Sequence, residues 1–192
     1  MTGRRFPTSS ITGTALLLAM GVALPLVFHS FPLGGRVFLP MHIPTFVAGL
    51  VLGPLAGLVV GAGSPLLSAL ITGRPPVVYM VPMVFELATY GLVAGLLRPR
   101  IEAVLSGSSR RSRAVGRARR STPGVLVSLL CAMLLGRAVW LATVVWMAPL
   151  LGIQARTVAM ALGALGAGWV GAAIQLVLIP TIVRAIERLR VR

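Results

Sequence analysis

Apolar residues in this chain come in long runs instead of alternating with polar ones. The runs have the length that a bilayer demands of a helix. They cover residues 11–28, 41–52, 54–72, 77–97, 124–148 and 157–183, and the segments between them carry the prolines, glycines and arginines. This pattern predicts an all-α, polytopic membrane protein of six transmembrane helices in one domain. The stretch from Phe38 to Tyr90 organises the rest. It opens FLPMHIP, runs apolar to Gly73, turns at Arg74-Pro75-Pro76, and re-enters apolar sequence carrying one carboxylate in FELATYG. Gly53-Pro54 splits the run. Glycine suits the residue just past a helix end and proline the first turn of the next helix, so two helices folding back on each other are expected.

The second span is short. Twelve residues of helix reach about 18 Å, less than a hydrocarbon core of about 30 Å. It must therefore be extended by the FLP segment or shielded by its neighbours. Gly49, Gly53, Gly57 and Gly61 recur once per helical turn, the small-residue spacing that lets membrane helices approach closely. Ala15, Ala19 and Ala23 make a similar smooth stripe on the first span, where another helix could dock or where ordinary bundle packing could fall. Pro82 should kink the fourth span or loosen its hydrogen bonding, which neighbouring helices tolerate. Arg4-Arg5 followed by an apolar run is similar to a signal peptide. No small-x-small site follows that run, so it is read as an uncleaved span.

Composition narrows the class. Of 192 residues 57% are hydrophobic and the mean hydropathy is +0.95, more apolar surface than a soluble domain can hide. The 18 basic residues are all Arg, and the three acids are Glu86, Glu102 and Glu187. Lys and Asp are absent. Without Lys there is no GxxxxGK[ST] loop, and without Asp no aspartyl-phosphate intermediate and no Asp-based magnesium site. The chain is thus not expected to be an enzyme or to hydrolyse ATP itself. Cys131 is the one cysteine and has no partner within the chain, so no disulfide framework or cysteine zinc cluster is expected.

Arginine also orients the chain. Two lie at the N-terminus, eight in residues 98–123 and four after residue 183, against Arg36, Arg74 and Arg156 in the opposite loops. Excess arginine stays on the cytoplasmic side, so both termini and the flexible Arg-rich linker 98–123 are expected there. The net charge of +15 needs no nucleic acid to explain it, because no aromatics interleave with the linker arginines. Lipid headgroups suffice as their partners. A multi-pass protein of a bacterial-type cell membrane is expected.

Two ionisable residues fall inside spans, where charges are expensive and usually functional: Glu86 and Arg137. Both lie near mid-membrane, so they are expected either to brace the bundle as an ion pair or to hold a polar ligand together. Tyr90 lies one turn from Glu86, Trp140 about one turn from Arg137, and Trp169 near the middle of the last span with Gln175 beyond it. Aromatic walls with a few polar groups suit a flat heterocyclic ligand. His29 and His42 flank the first outer loop, but no Asp or Cys stands nearby to complete a metal set, so no metal site and no cofactor are expected. A loop closing over a ligand, with His42 as a polar contact, is the better reading. Ser64 in GAGSP has no His at its depth, which argues against an intramembrane hydrolase.

Across essentially its whole length the chain resembles the substrate-binding S components of energy-coupling factor (ECF) vitamin transporters. The resemblance rests on its size, six helices, the AxxxA of Ala15 and Ala19, the AGLVLGPLAGLVVG turn and the FELATYGLVAGLL block. It implies a receptor that captures a vitamin or vitamin precursor from outside and topples within a complex of a transmembrane T subunit and two ATPases. The alanine surface, with Ala15, Ala19 and Ala23, would face the T subunit. The ligand would sit among helices 4 to 6 under the loop Ser30–Met41, where Phe38 and His42 join Glu86, Tyr90, Arg137, Trp140 and Trp169. MHIP at Met41–Pro44 is similar to the N-terminal Met-His motif of nickel and cobalt S components. There the free terminus matters and here the motif is internal, so a nickel or cobalt uptake component is the lesser alternative. A structural or assembly membrane protein with no ligand is the other.

Overall fold

A computed structural model describes residues 8–29, 39–105, 122–150 and 168–189 of the chain. These residues form helices, with no strand among them. We number the helices α1 (Thr8–His29), α2 (His42–Val47), α3 (Pro54–Thr72), α4 (Val77–Leu105), α5 (Thr122–Leu150) and α6 (Trp169–Leu189). Alpha-helical α2 widens into a π-helical segment, Ala48–Leu52, before the chain breaks at Gly53. Among the described residues five helices are long and apolar enough to cross a membrane, and His42–Leu52 is a shorter apolar helix. The fold is all-α and multi-pass.

The break between α2 and α3 takes the form the Gly-Pro pair suggests. Gly53 has φ 109°, open to glycine and strained for other residues, and its N–H bonds the Ala48 carbonyl at 3.1 Å. Pro54 opens α3, where a missing N–H costs nothing. At the other end of α3, Gly73 caps the helix in the left-handed conformation, its N–H on the Ala69 carbonyl.

Of the one-per-turn glycines, Gly49, Gly57 and Gly61 serve a close approach, whereas Gly53 is the break itself and has open space around it. A Cβ at Gly49 or Gly57 would run into the Gly91 carbonyl of α4, and one at Gly61 into the Leu87 carbonyl. Backbone therefore lies on backbone where the α2–α3 turn meets α4. Larger side chains would push the helices apart and forfeit the packing that holds membrane helices together.

α2 is the central post of the bundle. Residues 44–50 are all buried. Met41, Phe46 and Leu50 share one core with Leu87, Tyr90 and Ala94 of α4, Val125, Leu129 and Ala132 of α5, and Ile179 and Val183 of α6. Enclosure by neighbours is how a helix too short to span is tolerated. α1 is the opposite case. Only 11% of its Ser10–Val27 window is buried. It touches the bundle along one edge, where Gly21 meets Ser64, Leu18 meets Gly63 and Gly13 meets Leu52.

α4 continues beyond its apolar run. Arg98 was expected to begin the cytoplasmic linker, yet the helix goes through Pro99 to Leu105 and Arg98 is 6% exposed. The physical reason is a polar clasp. Arg98 Nη1 donates to the Leu50 carbonyl at 2.6 Å, Nε to Glu102 at 2.9 Å and Nη2 to Glu187 of α6 at 2.5 Å. One guanidinium on α4 thus ties α6 and the π-helical segment after α2 to its own helix. The linker residues 106–121, and residues 157–167 of the expected sixth span, lie outside the described residues.

Candidate functional site

One α-helical turn of α4 carries the polar heart of the protein. Glu86 and Tyr90 are four residues apart and therefore on one face, and the Tyr90 hydroxyl donates to Glu86 Oε1 at 2.6 Å. The same oxygen receives Arg137 of α5, whose Nη1 lies 3.2 Å away. The two charges expected at equal depth thus meet. Glu86 is almost fully enclosed, with its side chain 3% exposed, whereas that of Arg137 is 26% exposed. The pair is asymmetric: the carboxylate belongs to the interior, and the guanidinium reaches it from the rim.

Aromatic rings surround the pair. The Arg137 guanidinium lies over the Trp140 ring at 5.9 Å, within reach of a cation–π attraction. Tyr90 stacks on Phe46 of α2 with centroids 5.0 Å apart, and the His42 ring lies 5.2 Å from Tyr90, tilted by 47°. Glu86, Tyr90, Arg137, Trp140 and His42 are therefore one contiguous cluster, built by α2, α4 and α5. Phe38 and the side chain of Trp169 lie outside the described residues.

Two residues that matter here were not singled out from the sequence. Gly136 precedes Arg137 and lies against the Tyr90 ring edge, so a Cβ there would collide with the ring. Its place directly before the intramembrane arginine was the available signal. Arg98 was assigned to the linker; the signal was Glu102 four residues on, together with a chain that has only three acids to pair. Each acid pairs with an arginine: Glu86 with Arg137, and Glu102 and Glu187 with Arg98.

Ala15, Ala19 and Ala23 are exposed on α1 and do not face the bundle. Ser64 is buried against Gly21 and donates its hydroxyl to the Val60 carbonyl at 2.7 Å, the arrangement of a helix-packing serine. Among the described residues no three metal-ligating side chains gather.

Comparison with curated proteins and with solved structures gave no match. A family model described as ECF transporter, substrate-specific component, matches residues 9–185, which span all six helices. Membership carries with it a membrane-embedded transport subunit, not an enzyme, that works with the T and ATPase subunits of such a transporter on a small-molecule substrate. The chain belongs to the substrate-specific components of ECF transporters.

Proposed function

We propose that this protein captures a vitamin or vitamin precursor from outside the cell and presents it for ATP-driven import by separate T and ATPase subunits. The observation that carries this reading is the joined cluster of Glu86, Tyr90, Arg137, Trp140 and His42. It offers a neutralised charge pair beside aromatic faces, a combination suited to a flat polar molecule. Phe38 and Trp169 complete the proposed contact set. The arginine distribution supports an orientation with both termini and the Arg98 clasp on the cytoplasmic side. The exposed alanine stripe of α1 supports a flat docking surface for the T subunit, made of Ala15, Ala19 and Ala23.

Native mass spectrometry of the detergent-purified protein tests the reading. A small molecule should be released from the folded chain, and that molecule should accumulate in vesicles only when the T and ATPase subunits are present. A protein that never retains a small molecule under these conditions is an assembly component, and the import reading fails.

A further inference from the structure

The core around α2 ends in polar atoms with nothing to bond. Gln175 of α6 is 0% exposed, and neither its Oε1 nor its Nε2 has a hydrogen-bond partner among the described residues. The His42 ring is 4% exposed, and both its nitrogens are likewise unpartnered. Buried polar groups are nearly always paired, so orphans grouped in one layer point to a missing partner.

Their placement follows from the clasp. Arg98 bonds both Leu50 and Glu187, which pins the end of α2 and the end of α6 to one level. Going back along the parallel helices, Glu86 lies twelve residues before Arg98 and Gln175 twelve before Glu187. Each stands about 18 Å from the clasp. Gln175 is therefore about level with Glu86, and the His42 ring faces the Tyr90 ring, whose hydroxyl reaches Glu86. Ile179 and Phe46, one turn nearer the clasp than Gln175 and His42, both belong to the core that α2 and α6 share. Beyond Gln175 the same buried face of α6 carries Gly171 and Gly168, which offer no side chain to its amide.

We infer that Gln175 and His42 read the polar edge of the transported molecule, and that this edge is a cis-lactam or the equivalent amino-azine of a neutral heterocycle. The inference rests on the import reading above. A primary carboxamide presents an acceptor and a donor side by side, and its two-point complement is an adjacent N–H and C=O, or an amino group beside a ring nitrogen. Glu86 and Arg137 neutralise each other at 3.2 Å, so the site asks no charge of its ligand. His42, with a donor on one nitrogen and an acceptor on the other, adds a third bond at the edge.

The test uses the purified full chain and two probes: carbostyril, a flat lactam, and N-methylcarbostyril, which keeps the shape and loses the N–H. Binding is read by saturation-transfer NMR with thermal shift alongside. Wild type should bind carbostyril about tenfold more tightly than its N-methyl derivative. Gln175→Leu should abolish that preference, while its ligand-free form melts no lower than wild type because an unpaired buried amide has been removed. Equal binding of the two probes by wild type, failure to bind either, or a preference that survives Gln175→Leu overturns the inference. None of these outcomes touches the import reading, which stands or falls on the co-purified molecule and its accumulation in vesicles.

Discussion

Arg98 Nη1 and the Leu50 carbonyl, 48 residues apart in the chain, meet at 2.6 Å where α2 stops inside the bundle. A helix that ends inside the bundle leaves carbonyls without an intrahelical partner, and Pro54 has no N–H to give Leu50, four residues before it. The guanidinium supplies the donor, and its positive charge complements the negative end of the helix. Replacing Arg98 by Met would remove its bonds to Glu102, Glu187 and the Leu50 carbonyl together. Breaking a buried pair in this way costs about 3–5 kcal/mol. Arg98→Met should therefore melt far below wild type in detergent, with Arg98→Lys between them because an ammonium cannot make all three bonds in one plane. Equal melting of all three proteins would show that the clasp contributes nothing.

Glu86 and Arg137 form the second test. Removing one partner leaves a lone charge in a span, worth about 2.5–3.5 kcal/mol on insertion scales. Glu86→Gln and Arg137→Met should each lower the melting temperature, and the double variant should recover part of the loss. Affinity for the co-purified molecule then separates two roles. A pair that only braces α4 and α5 predicts near-normal binding by the double variant, whereas direct contact predicts low affinity even after stability returns.

Gly136 sets how close α5 can come to Tyr90. Gly136→Ala drives a methyl into the ring that Glu86 holds in place, and overpacking of this kind costs roughly 1–3 kcal/mol. Removing the ring should relieve it. Gly136→Ala combined with Tyr90→Ala is expected to lose less than the sum of the two single losses, because residues in contact are not additive. Strict additivity in the thermal-shift cycle would mean that the methyl and the ring never compete for space.

On α1, Ala15→Trp with Ala19→Trp should abolish co-purification of the T subunit and leave ligand binding unchanged. Both alanines are exposed, so the new side chains meet no atoms of this chain's own bundle. Retention of the T subunit by the double variant would assign the stripe to lipid.

The isolated chain should show no ATP hydrolysis, since it has no lysine to hold the β- and γ-phosphates. Phosphate release above that of empty detergent micelles would contradict this.

Span content and the Gly53-Pro54 break were legible because hydropathy and turn chemistry are local properties. The Glu86–Arg137 meeting was legible from depth alone, since helix rise converts residue count into position. What escaped were relations between distant segments. Residues 98–105 contain two arginines and a proline, yet the helix runs through them, and Arg98 is buried there by its contacts with Leu50 and Glu187. Gly136 has the same character: its need for a bare Cα arises from a ring on another helix. The Phe46–Tyr90 stack depends on α2 lying at the centre, which no periodicity in a seven-residue window reveals.

The pairing of all three acids with arginines has a further consequence. Proton-driven carriers commonly load the driving ion on an acidic side chain within the membrane. Here Glu86, the one intramembrane acid, already holds a guanidinium and a phenol on one oxygen. A coupling ion would have to displace both to bind there. Glu86 is therefore ill placed to carry a driving proton, in keeping with a family whose members work with ATPase subunits.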